Sequence, residues 1–141
     1  MGDQLTVMRF DEAGKPGADL PADVVLRTLR ELFVDDPLLD LPMAPGNIFE
    51  LERTGQRASF DGYVYVGADG IQRVVTEFTD TSWGAPVQPF RDEITPVLDL
   101  LVALARETDA RLFDVADPDQ TDLTTARALD LLAPTDLPDL G

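Results

Sequence analysis

The chain has 141 residues, 44% hydrophobic and 27% charged, with no cysteine and no histidine. That length buries one full core and is short for two ordinary domains, and the missing side chains exclude disulfides, thiolate nucleophiles, Cys/His zinc sites and every triad that uses imidazole as base. Asp and Glu number 27 against 11 Lys and Arg, a formal net charge of −16, so a nucleic-acid backbone or an anionic membrane is repelled.

Along the chain, Leu5 to Phe10 alternates Leu5, Val7 and Arg9 against Thr6, Met8 and Phe10, a strand pattern. A loop with two Gly and a Pro follows, and Asp19-Leu20-Pro21-Ala22-Asp23 opens a helix with Pro early and acids at the positive dipole end. Val25, Leu29, Leu32 and Phe33 then share one helical face, which predicts a helix from Pro21 to Phe33. Val34 to Asn47 is an apolar loop with three prolines and with Leu38, Leu39, Leu41 and Met43. It is read as a lid or contact loop, or as a cover folded back over the helix ends.

Three strands come next, at Ile48 to Arg53, Phe60 to Val66 and Ile71 to Thr79, the last two joined by the hairpin signal Gly67-Ala68-Asp69-Gly70. Strand alternation puts Tyr63 and Tyr65 on one face and Val64 and Val66 on the other. A loop from Thr79 to Pro89 carries the only tryptophan, Trp83. A central helix is expected from Asp92 or Thr95, with Thr95-Pro96 as cap and first residue, to Thr108. Ala110 to Val115 reads as a short strand, Thr121 to Ala133 as a weaker helix, and 134–141 as a frayed acidic tail. The order strand, helix, three-strand meander, helix, strand, helix predicts a single α+β domain over 1–133, a mainly antiparallel sheet with helices packed on one face.

Without imidazole or thiol, chemistry would fall to carboxylates. Asp114, Asp117, Asp119 and Asp122 are dense enough for a divalent cation. The spacing fails as a calcium loop, however, because Asp122 stands where glycine is required and Ala128 where a bidentate glutamate is required. Capping of the last helix by Asp119 or Thr121 is the simpler account. Glu50, Glu52, Asp61 and Glu77 lie on neighbouring strands and could supply a glycosidase-type pair, yet nothing selects two of them. Ser59 and Ser82 are the only serines, and neither sits in a nucleophile elbow. No enzyme activity, metal or cofactor is expected.

Contact residues are better represented. Tyr63, Tyr65 and Trp83 are of the type that anchors interfaces, and Asp61, Asp69, Glu77 and Asp80 lie close to them in sequence. These seven residues form the expected partner-binding set, unless the aromatics belong to the core.

The opening "TVMRFDE" and the helix-into-strand stretch "LLVALARETDARLFDV" resemble segments of small acidic bacterial immunity proteins that neutralise polymorphic toxins. The resemblance implies a cytoplasmic inhibitor that occludes a basic, nuclease-type toxin. No run of ~18 apolar residues and no export signal at Met1 to Phe10 contradicts a cytoplasmic protein. The second reading is an accessory domain of a phage or secretion assembly whose acidity reflects its organism. The third is a carboxylate-based enzyme. Composition leaves the oligomeric state open.

Overall fold

The computed structural model describes residues 3–81 and 86–134. Trp83 and the tail beyond 134 lie outside the described residues. The strands are β1 (Asp3–Met8), β2 (Ile48–Thr54), β3 (Ala58–Val66), β4 (Ile71–Asp80) and β5 (Arg111–Asp114). They form one antiparallel sheet in the order β2-β3-β4-β1-β5. Three helices, α1 (Ala22–Leu32), α2 (Gln88–Glu107) and α3 (Thr125–Leu132), cover one side of it. The α+β class, the antiparallel meander and the one-sided helical layer agree with the sequence reading.

Period-two patterning fixes which side is covered. Along β3 burial alternates without a break, so Ala58, Phe60, Gly62, Val64 and Val66 turn into the core while Ser59, Asp61, Tyr63 and Tyr65 turn out. Leu51 of β2, Val74 and Phe78 of β4, and Leu5 and Val7 of β1 join the inward face. Leu29 of α1 and Ile94, Leu98 and Leu101 of α2 close over it. Phe33, just past α1, meets Phe60 at 5.5 Å between ring centroids. Gly62 makes that approach possible, since a Cβ there would lie 2.8 Å from the Phe33 ring.

A bulge in β4 has a direct consequence for the other side. The register with β3 shifts between Tyr65 and Val66, which keeps both Ile71 and Val74 in the core although they are three residues apart. Arg73 is thereby turned outward, opposite Tyr65.

Three expectations need correction. The central helix starts at Gln88, not at Asp92 or Thr95, and Pro96 lies inside it. Thr95 does not cap; its hydroxyl donates to the Arg91 carbonyl at 2.6 Å, and burial of Phe90, Ile94, Val97 and Leu98 on both sides of the proline holds the helix together. The last helix starts at Thr125, capped by Thr124, whose hydroxyl accepts from the Arg127 amide. Asp119 and Thr121 therefore do not cap it. The N-terminal strand ends at Met8, because Phe10 pairs back with Pro16 across the following turn. Of the readings offered for the 34–47 loop, folding back over the core is seen in part: it holds a 3-10 turn at Pro37–Asp40 and drives Leu39 into the core, while Val34 and Leu41 stay exposed, and Leu38 and Met43 pack against the core.

Candidate interaction face

The side of the sheet that the helices leave uncovered is built by register. Reading across the strands, Glu52 lies opposite Asp61, Asp61 opposite Glu77, and Glu77 opposite Gln4. The neighbouring row runs Glu50, Tyr63, Val75, Thr6, Phe113, and the next runs Ile48, Tyr65, Arg73. Four carboxylates thus surround Tyr63 from three strands. Among the described residues none of the four makes an ion pair.

That arrangement carries a cost. Like charges directly opposite on paired strands destabilise a sheet, and a folded chain ordinarily intersperses cations to offset them. Here the nearest cation on this face is turned to another use: the Arg73 guanidinium lies 4.1 Å from the Tyr65 ring centroid. Arg111 lies over Phe10 at 5.1 Å, at the far edge of the sheet.

The electrostatic field is legible at Tyr63. Burial of its phenol pushes its pKa above the ordinary tyrosine value, and the negative charges of Asp61, Glu50, Glu77 and Glu52 push it further. Tyr63 and Tyr65 are both half-buried, so each presents part of its ring to solvent. Beside them Gln4, Thr6, Arg73 and Val75 line a shallow hollow that Val115 borders. Thr6 is only 3% exposed, and its hydroxyl, like the Arg73 Nε, is buried with no hydrogen-bond partner among the described residues. Such orphaned groups are few in native proteins.

The structure brings Asp61, Tyr63, Tyr65 and Glu77 of the predicted set onto one face. It separates the rest. Asp69 sits in the β3–β4 turn, where its amide donates to the Asp19 carboxylate at 2.9 Å. A side chain on Gly67 would collide with that same carboxylate, so this end of the hairpin is clamped to the chain leading into α1. Asp80 ends β4 and pairs with Arg57 at 3.3 Å, so it is structural. Trp83 lies outside the described residues.

Glu50 and Glu52 belong with the face, though the sequence suggested them only as possible catalytic acids. Gln4, Thr6 and Arg73 were missed. Alternation along one strand reveals its own outward residues, but only pairing reveals that β1 inserts between β4 and β5 and brings Gln4 and Thr6 beside Glu77 and Val75.

The acid-rich segment after β5 has local partners. Asp117 accepts from the amides of Asp119 and Thr121 at 3.0 Å each; the Thr121 amide, the Asp119 amide and the Thr121 hydroxyl together hold its carboxyl below the usual range. Asp122 accepts from the Leu112 amide and pairs with Arg106. Among the described residues no helix is long and apolar enough to cross a membrane. Comparison of the chain with protein-family models, with curated proteins and with solved structures finds no match.

Proposed function

We propose that this chain is a binding protein that occludes a basic protein partner with the uncovered face of its sheet, and that it serves as an immunity protein against a toxin. The observation that carries this reading is the set Glu50, Glu52, Asp61 and Glu77, gathered on one face without an internal counter-ion among the described residues. A partner bringing Lys or Arg side chains relieves the repulsion already built into the sheet, and that relief adds to the affinity.

Two steps follow from general physics. The net charge of −16 steers encounter with a cationic surface, raising association by roughly 10 to 10³-fold at low salt. Tyr63 and Tyr65 then supply rigid, half-buried ring area next to the carboxylates, the combination from which hot spots are built. Occlusion needs no chemistry from the chain itself: a toxin whose active cleft is cationic because it binds a polyanion is blocked by covering that cleft.

The test is capture of partners from the native lysate, followed by stopped-flow association of the captured protein at 0.05 and 0.3 M salt. The reading expects a basic protein whose association rate drops at least fivefold with added salt. Tight binding to bare DNA or RNA, or a partner whose association ignores salt, contradicts it.

A further inference from the structure

The free edge of the sheet carries an inference that rests on the basic-partner reading and goes beyond it. β2 pairs with β3 on one side and, among the described residues, with no strand on the other. At one end Val66 donates its amide to the Asn47 carbonyl, and at the other Gly55 donates to Ala58. Hydrogen-bonded pairs alternate along an antiparallel ladder, so Phe49, Leu51 and Arg53 bond to β3. Ile48, Glu50, Glu52 and Thr54 turn their N–H and C=O groups toward the open edge. The same four residues are exposed, and their side chains lie on the uncovered face, level with Asp61, Tyr63 and Tyr65.

Such an edge is a template for another strand. A second copy of this chain fits it poorly: in the full-length antiparallel register Glu50 of each copy would lie opposite Glu52 of the other. A basic strand fits it well. Its alternate residues would lie beside Glu50 and Glu52 on the uncovered face, and the residues between them would point to the other side. There Phe33, Val34, Asp36 and Pro37 line a hollow against Glu52 and Arg53, in which the first two and the proline offer apolar contact.

We infer that β2 receives an added antiparallel β-strand from the basic partner, an extended segment that alternates Lys or Arg with apolar residues. Main-chain bonds to Ile48, Glu50 and Glu52 supply affinity, and the two glutamates select the register. The acidic row is thereby extended by one cationic strand, with the partner's remaining basic residues reaching Asp61 and Glu77.

The experiment uses the peptide Arg-Val-Arg-Val-Arg-Val-Arg and the isotope-labelled full chain, with amide exchange read by NMR. Strand addition slows exchange of the Ile48, Glu50 and Glu52 amides at least tenfold. N-methylation of the arginine amides, which would face β2, weakens the peptide at least tenfold, whereas N-methylation of the valine amides, which would face away, leaves binding within threefold. If the peptide binds while those three protein amides exchange as in the free chain, or if both methylated peptides bind alike, strand addition is wrong. Shifts confined to Gln4, Tyr63 and Glu77 would then leave the uncovered face as the partner site without the added strand. A peptide that perturbs neither region overturns both.

Discussion

Asp61 and Glu77 are Cα partners on adjacent central strands, both directed to the uncovered side of the sheet, with Glu52 opposite Asp61 on the next strand. A row of three acids across three strands is the reverse of what cross-strand pairing favours. The sheet tolerates it because its opposite side is a continuous apolar core, from Leu51 through Phe60 and Phe78 to Leu5.

The first prediction follows from that repulsion. Asp61→Asn and Glu77→Gln should each stabilise the free protein by ~0.2–1 kcal/mol at neutral pH, with a smaller gain at high salt. Urea unfolding at two ionic strengths measures this. Binding should weaken in the same variants, so that stability and affinity move in opposite directions. A loss of stability would mean that the two carboxylates have favourable partners in the fold.

Tyr63 gives a pH-dependent prediction. Its pKa is raised in the folded chain, so the unfolded chain loses the phenolic proton first as pH rises. The folded state then binds more protons, and stability falls above pH ~10. A Tyr65→Phe variant isolates the Tyr63 phenolate in ultraviolet absorbance, and its midpoint should lie above that of the urea-unfolded chain. Adding Asp61→Asn and Glu77→Gln should lower the folded midpoint. An unchanged midpoint would show that the carboxylates do not act on the ring.

Gly62→Ala tests the covered side. The new Cβ would approach the Phe33 ring at 2.8 Å, and overpacking of this kind costs ~1–3 kcal/mol. Thermal or urea unfolding should report that loss, while partner affinity per folded molecule should hold.

The segment after β5 should behave as a hydrogen-bonded turn. Asp117, its pKa lowered by the Thr121 and Asp119 amides, contributes stability that is present above its unfolded value near 3.9 and is lost as pH falls through the lower folded value. Excess Ca²⁺ or EDTA should leave the unfolding midpoint within ~2 °C. A shift beyond ~4 °C, about 1 kcal/mol for a domain of this size, would establish a bound cation.

Sequence patterns revealed the meander, the two outer helices and the facing of Tyr63 and Tyr65, because each depends on periodicity within one segment. They also suggested Asp61 and Glu77, which share a face with those rings once β3 and β4 pair. Local patterns could not reveal how distant segments combine. Nothing near Gln4 or Thr6 indicates that β1 crosses to the middle of the sheet, and Arg73 faces outward only because a bulge shifts the register after Ile71. Asp69 and Asp80 were close to the aromatics in sequence but stand apart from them: the Asp69 amide is held in the β3–β4 turn by the Asp19 carboxylate, and the Asp80 carboxylate pairs with Arg57. Thr95-Pro96 misled for a related reason: the pair has the chemistry of a helix start, and only the packing of Phe90 and Ile94 before it shows the helix already under way.

The central claim is that a particular face, and not net charge alone, takes the partner. Two variants with equal charge removed decide it. One carries Glu50→Gln, Glu52→Gln, Asp61→Asn and Glu77→Gln on the uncovered face. The other carries Asp23→Asn, Glu31→Gln, Asp109→Asn and Asp119→Asn, all exposed positions on the helices and loops. The dissociation constant of each for the captured basic protein is measured at 0.15 M salt. The account predicts at least a hundredfold weakening for the first, roughly 2.7 kcal/mol, and less than threefold for the second. Equal weakening in both, or none in the first, would contradict it.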